Sequence, residues 1–299
     1  GRNHEKYHCK IYPPGGRSMT NENLNDMLER NGDRPFLLTD DGQYSYAEIR
    51  HRALQFAGVL QDHGIGKGDC IAIIAGNSAA YVAAWFGAAL IGAVSATLNN
   101  QLLSDSLRYT VDQSTARLIV ADQEWTDLAL HHLTEEQRAL PRIVYKDETD
   151  FFAQINWKEP VTPAHVEPAD PSTILYTSGT TGLPKGVVNC HRAYFESGRQ
   201  AATLLELTPD DRLMIFLPMF HVNPQMMGIM SAVAVGASIA LRPRFSATTF
   251  FEDAKRFGAT GCTYVGTIFS ILVNRYPGEQ RDHSMRFCFG AGAHGEVWR

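Results

Sequence analysis

The sequence predicts an α/β fold in which mixed, mainly parallel sheets are layered with helices. Three observations lead there. Short apolar, β-prone runs alternate with longer segments of helical period along most of the chain. Cys70-Ile71-Ala72-Ile73-Ile74-Ala75 is apolar without interruption, as a strand covered on both faces must be. Several helical segments run into a glycine (Gly64, Gly236, Gly258), the residue that most readily ends a helix in the left-handed region.

The elements follow in order. Ser45 with Glu48 forms a capping box, and Tyr46, Ile49, Ala53, Phe56, Ala57 and Leu60 then keep helical spacing. After the strand from Cys70, the stretch Ala79 to Ile91 is apolar nearly all round and predicts a core helix. Short apolar runs at 93–96 and 117–121 predict strands, with a helix over 104–113 between them. From Glu124 to Pro171 the pattern is weaker: helical spacing over 133–140, a strand at 143–145, then Pro160, Pro163, Pro168 and Pro171 in an extended connection. Alternation resumes with a helix over 191–207, a strand over 212–217, a helix over 226–235 and a strand over 237–241. A helix over 246–257, a strand over 260–265, a helix over 267–276 and a strand over 286–289 complete it. Residues 1–18 read as an extension or linker, 19–170 as a first α/β subdomain and 171–299 as a second.

Composition excludes several function classes. Hydrophobic residues make up 44% and charged residues 20%, which fits a soluble globular chain. A net charge of −5 without a basic run gives nucleic acid nothing to bind. No apolar stretch is long enough to span a bilayer, and residues 1–18 lack a signal-peptide core. The five cysteines are scattered with no C-x-x-C pair, which fits buried thiols in a reducing, cytoplasmic compartment. His131-His132, and His4 with His8, lack the partners of a metal site.

Chemistry concentrates in the loop Thr177-Ser178-Gly179-Thr180-Thr181-Gly182-Leu183-Pro184-Lys185-Gly186. Apolar runs lead into it (Thr173 to Tyr176) and out of it (Gly186 to Val188). Glycines let consecutive N–H groups turn toward an anion, hydroxyls add donors, and Lys185 adds a charge that reaches phosphate oxygens. The plain alternative is a Ser/Thr/Gly surface loop between two strands. The loop is not a Walker P-loop: its glycines are wrongly spaced, Gly186 follows the lysine, and a strand follows instead of a helix. Other strand ends also qualify, because ligands of open α/β sheets collect outside the carboxyl ends of strands. They are His221 and Asn223 in Leu217-Pro218-Met219-Phe220-His221-Val222-Asn223-Pro224, Gly266-Thr267, and Gly290-Ala291-Gly292-Ala293. Each has an ordinary alternative: a hydrogen-bonded structural histidine for the first, turn chemistry for the others.

These residues together resemble the adenylate-forming superfamily, which holds acyl-CoA synthetases, luciferases and the adenylation domains of peptide synthetases. The loop from Thr177 to Gly186 is similar to the family's signature over its whole length. Tyr44-Ser45-Tyr46-Ala47-Glu48-Ile49, Gly92-Ala93-Val94 through Leu98-Asn99, Leu217 to Asn223 and Gly290 to His294 resemble further family segments. Pro224 stands where glycine is usual and His294 where proline is usual, departures that bear on the acyl pocket. Arg242-Pro243-Arg244-Phe245-Ser246 most resembles the carnitine/crotonobetaine-CoA ligase branch, which implies a small polar acid.

The resemblance implies a large N-terminal domain and a two-step reaction. A carboxylate attacks the α-phosphate of Mg-ATP, and coenzyme A then displaces AMP to give a thioester. Thr177, Ser178, Gly179, Thr180, Thr181 and Gly182 would hold phosphate, with Thr180, Lys185 and His221 catalytic. His221, Asn223, Gly266, Thr267 and Ala293 would line the acid's pocket, and Gly290, Ala291 and Gly292 would run along the adenylate. The family's adenine-binding aromatic, magnesium-binding glutamate, ribose-binding aspartate and C-terminal domain with its catalytic lysine are expected beyond Arg299, so no metal ligand is expected in this chain, and the fragment alone is expected to be nearly inactive. Two other readings compete: an acyl-AMP ligase that loads a carrier protein, and a nucleotide- or acyl-binding module without chemistry.

Overall fold

The computed structural model describes residues 23–177 and 183–292. Within them twelve strands form two six-stranded sheets. In chain order the strands are β1 (Pro35–Leu38), β2 (Gln43–Ser45), β3 (Cys70–Ile74), β4 (Val94–Thr97), β5 (Leu118–Asp122), β6 (Arg142–Tyr145), β7 (Pro171–Thr177), β8 (Lys185–Cys190), β9 (Arg212–Ile215), β10 (Ser238–Leu241), β11 (Gly261–Val265) and β12 (Phe287–Ala291). One sheet runs β6-β5-β3-β4-β7-β8 and the other β12-β11-β9-β10-β1-β2. Every pairing is parallel except β7 with β8 and β1 with β2, which place an antiparallel strand on one edge of each sheet. The mainly parallel α/β architecture is as the sequence predicts.

Alternation along single strands builds the layers. In β3, Ile71 and Ile73 face a central core that also takes Leu213 and Ile215 of β9 and Ile239 of β10. Cys70, Ala72 and Ile74 face the opposite way, against Val111 and Trp125. In the second sheet Met214 and Ala240 turn outward onto Phe250, Ala254 and Leu272. Helices therefore fill the space between the sheets and cover the outer face of each. The helix Ala79–Leu90 lies in the central layer with all 12 of its residues buried, which explains its lack of a polar face. The helix Tyr46–Asp62 carries the anticipated capping box: Glu48 N–H donates to Ser45 Oγ (3.1 Å) and Ser45 N–H to a Glu48 carboxylate oxygen (2.7 Å). Its six predicted inward residues are all fully buried.

Several boundaries differ from the sequence reading. Residues 246–249 precede the helix Phe250–Phe257 rather than opening it. The span expected as a helix from Met226 winds as a wide, π-type turn from Asn223 to Ile229 and becomes α-helical only at Met230–Val235. The cause is local. Gln225 reaches the Met219 carbonyl and Thr97 Oγ1 and accepts from the Tyr194 hydroxyl (2.5 Å), while Ser231 Oγ donates back to the Met227 and Gly228 carbonyls. The helices Leu24–Asn31, Gln123–Ala129 and Glu148–Ile155, and the β1–β2 pair, were not anticipated.

Sheet membership also crosses residue 170 in both directions. β7 and β8 extend the sheet of β3 to β6, and β1 and β2 extend the sheet of β9 to β12. A division into units 19–170 and 171–299 would cut both sheets. Residues 1–22, and with them the proposed extension 1–18, lie outside the described residues.

Candidate adenylate site

Parallel sheets end their strands on one side, so the carboxyl ends of β3, β4, β5 and β7 share one edge, and those of β9, β10, β11 and β12 share another. Asn77, three residues past β3, brings the two edges together. Its Nδ2 donates to the carbonyls of Leu217 (2.9 Å, after β9) and Arg242 (3.1 Å, after β10), and its Oδ1 accepts from Met219 N–H (2.8 Å). The crevices of both sheets thus open on one another, the arrangement in which α/β folds hold ligands. Sequence reasoning passed over Asn77, although its place after a strand's carboxyl end was a usable signal.

The signature loop closes a hairpin at this edge. Thr177, the last residue of β7, lies opposite Lys185, the first of β8. Both ends are exposed, and Tyr176 anchors the first through its hydroxyl to the Thr110 carbonyl (3.3 Å). Ser178, Gly179, Thr180, Thr181 and Gly182 lie outside the described residues, so the structure places the stem of the loop.

The turn after β9 is held from three sides. Met219 N–H is fixed by Asn77, and its carbonyl accepts from the Tyr81 hydroxyl (3.3 Å) and from Gln225 Nε2. This presents His221, whose N–H donates to the Pro218 carbonyl (3.1 Å) and whose ring rests on Phe220. His221 keeps an exposed face, and the desolvation it does feel holds its imidazole below the ordinary value, so it is neutral at pH 7. Asn223 opens the wide turn, and its Oδ1 is buried with no hydrogen-bond partner among the described residues. A buried acceptor without a donor is uncommon and costs about 1–3 kcal/mol. Val222, between them, is 49% exposed.

The structure brings the two remaining segments together. β11 and β12 pair with Tyr264 opposite Gly290 and Val265 opposite Ala291. A side chain at Gly290 would run into the Tyr264 carbonyl oxygen, so glycine is required there by the closeness of the strands. A Cβ on Gly292 would sit 3.6 Å from Gly266 N, which makes Gly266-Thr267 and Gly290 to Gly292 one surface. Val265 and Thr267 are exposed on it. Ala293 lies outside the described residues. Among the described residues no three His, Cys, Asp or Glu side chains cluster as a metal site would require, and no helix is long and apolar enough to cross a membrane.

Known proteins resemble the chain over most of its length. It is 31% identical over 294 residues to long-chain fatty acid transport protein 2 of Rattus norvegicus, covering 89% of this chain and 45% of the relative. It is 28% identical over 288 residues to a crotonobetaine/carnitine–CoA ligase of Citrobacter koseri, covering 91% and 56%. The chain spans about half the length of the curated relatives it matches. Among solved structures, the anthranilate CoA ligase AuaEII in complex with anthranoyl-AMP superposes with a TM-score of 0.81 at 23% identity, over 90% of this chain and 55% of that one. The inhibitor-bound N-terminal domain of FACL13 from Mycobacterium tuberculosis gives 0.78 at 24% identity, over 92% and 71%. Both likenesses establish the fold. Residues 24–299 match the family described as AMP-binding enzyme, and to that family the chain belongs.

Proposed function

We propose that this chain serves an ATP-dependent acid–thiol ligase, an acyl-CoA synthetase that activates a carboxylic acid as acyl-AMP and passes it to coenzyme A. The observation that carries the reading is the hairpin stem, which sets Thr177 and Lys185 opposite each other at the two ends of a Ser/Thr/Gly loop. That edge is the one joined by Asn77 to the turn bearing His221. In the first step a carboxylate oxygen bonds to the α-phosphorus and the bond to the β-phosphate oxygen breaks. Such transfers depend on positioning and charge stabilisation more than on covalent help. Hydroxyls and amides from Thr177 to Gly182 hold the phosphates, and the Lys185 ammonium offsets the charge gathering on pyrophosphate. Magnesium would enter with the ATP, held by its phosphates; among the described residues no cluster of three acidic side chains offers it a site. In the second step a thiol attacks the acyl carbon and AMP leaves.

His221, neutral at pH 7, and Asn223 face the acid, with Gly266, Thr267 and Gly290 to Gly292 as pocket wall. The exposed Val222 and Val265 beside them favour an apolar acyl group over a small polar one. One relative is named for long-chain fatty acids and another for crotonobetaine and carnitine. A cytoplasmic location belongs to the same proposal and is supported by the free thiols of Cys70, Cys190, Cys262 and Cys288.

The test uses the full-length enzyme. Pyrophosphate release is measured across a panel of carboxylic acids from short polar to long-chain, and the product is identified by mass with coenzyme A or a carrier protein as acceptor. We expect release with apolar acids and a thioester on coenzyme A. Lys185→Ala should lower kcat about 100-fold, the loss typical of one group that stabilises transition-state charge. A thioester formed on the carrier but never on coenzyme A would replace the reading with that of a carrier-loading ligase. ATP binding without pyrophosphate release from any acid would leave a binding module.

A further inference from the structure

Away from the hairpin, β11 and β12 hold a pair of thiols that the ligase reading does not use. Cys262 and Cys288 are direct neighbours in the parallel register, and their sulfurs are 3.4 Å apart. Adjacent strands lie about 4.8 Å apart, which falls inside the roughly 4.4–6.8 Å Cα separation that a disulfide spans. Closing the sulfurs to about 2.05 Å therefore asks for side-chain rotation, with the backbone already in place. The pair is also asymmetric. Cys262 is buried, while Cys288 is exposed and borders an open cavity of about 410 Å³ with Phe251, Tyr276 and His283.

We propose that Cys262 and Cys288 are an oxidation site, forming a reversible disulfide between neighbouring strands when the protein meets a peroxide. Cys288 is the sulfur that reacts first. Its thiolate attacks one peroxide oxygen; an S–O bond forms, the O–O bond breaks, and the departing hydroxide takes up a proton to leave as water. The Cys262 sulfur then attacks the Cys288 sulfur. The S–S bond forms, the S–O bond breaks, and a second water leaves with the Cys262 proton. Two electrons pass from the thiols to the peroxide, and an added dithiol returns them. The hydrogen bond from the Cys262 thiol favours the Cys288 thiolate and holds its pKa below the ordinary value, which suits it to the first attack. Cys70 is a poor competitor: burial pushes its thiol up to about 12. The bond would tie β12 to β11 two residues before Gly290, at the base of the small-residue surface. The inference stands on the sheet register and does not depend on the ligase reading.

The 299-residue chain is treated with hydrogen peroxide, free thiols are alkylated under denaturing conditions, and the digest is read by mass spectrometry before and after dithiothreitol. We expect Cys262 and Cys288 to lose alkylation together, one for one, in a single cross-linked peptide that dithiothreitol releases. Cys288→Ser should abolish the cross-link and leave Cys262 fully alkylated. Cys262→Ala should leave Cys288 as a higher oxide with no cross-link. The proposal is overturned if Cys288 oxidises in the unaltered chain while Cys262 stays alkylatable, or if Cys288 cross-links to Cys9, Cys70, Cys190 or a second molecule. It is equally overturned if neither thiol reacts at peroxide concentrations that oxidise Met227 and Met285, the partly exposed methionines among the described residues.

Discussion

Three backbone groups of one sheet end on the Asn77 side chain of the other, and two of these contacts are fully buried. Asn77→Ala would strand a donor at Met219 and acceptors at Leu217 and Arg242. At about 1–3 kcal/mol for each buried group left unpaired, we expect a loss of roughly 3 kcal/mol in urea unfolding, alongside a rise of the His221 pKa toward its ordinary value by NMR as the turn loosens. His191 makes the opposite point. It is 5% exposed and its Nε2 has no hydrogen-bond partner among the described residues. Burial lowers its pKa from 6.5 to about 4; the nearby Asp170 opposes the shift and Lys67 adds to it. Because the folded value is depressed, the unfolded chain binds a proton that the folded chain refuses between those two values. Stability is therefore complete above about pH 6.5 and falls as the pH drops toward 4, by roughly 3 kcal/mol at 1.36 kcal/mol per pKa unit. His191→Leu should flatten the slope between pH 6.5 and 4 in paired urea titrations, whereas the losses from Asp170 and Asp211, both held below the ordinary carboxylate value, should persist at lower pH.

Between elements, close approach outweighs propensity. Gly198 lies in the helix His191–Leu204, where alanine would ordinarily gain about 1 kcal/mol. Here a Cβ would fall 2.5 Å from the Met230 carbonyl oxygen of the next helix. Backbone must move to admit it, and overpacking of that kind costs about 1–3 kcal/mol, so Gly198→Ala should lower the thermal midpoint. By contrast Ser45→Ala removes one capping bond and should cost about 1 kcal/mol without altering the core, as chemical denaturation will show. The contrast marks what could be read from the sequence. The capping box, the all-apolar helix and the doubly buried β3 are written in neighbouring residues, and each is found where the pattern put it. The wide turn from Asn223 was not legible, because its cause is Gln225 bonding residues distant in sequence, such as Thr97 and Tyr194. The helix Leu24–Asn31 did carry a local sign, the capping box of Asn23 and Asp26, that went unread. For the candidate site, the residue types were legible from the strand ends, while Asn77 and the contact of Gly292 with Gly266 required the strands to be assembled.

At the scale of the molecule, the order of strands decides which parts can stand alone. A break at residue 170 looks natural in sequence, since prolines crowd the connection and the signature loop follows. The pairing argues against it. β7 lies between β4 and β8, with Ser95 opposite Thr173 and Thr97 opposite Leu175, and β10 lies between β9 and β1, with Leu37 opposite Ile239. Tyr46 adds a further tie across residue 170: its buried hydroxyl donates to the Ala237 carbonyl (2.6 Å), joining the helix that follows β2 to the residue before β10. Residues 171–299 alone would leave β7 and β8 as a bare two-stranded hairpin, which is marginal in water, and would expose the edge of β10 that β1 covers. We therefore expect that fragment to show no cooperative unfolding by circular dichroism, and to gain a cooperative transition when mixed with residues 19–170, since the two together restore both sheets. A sharp transition in the isolated fragment, with native-like near-ultraviolet signal, would mean that β9 to β12 form a self-sufficient unit and that the signature loop is carried by a separable domain.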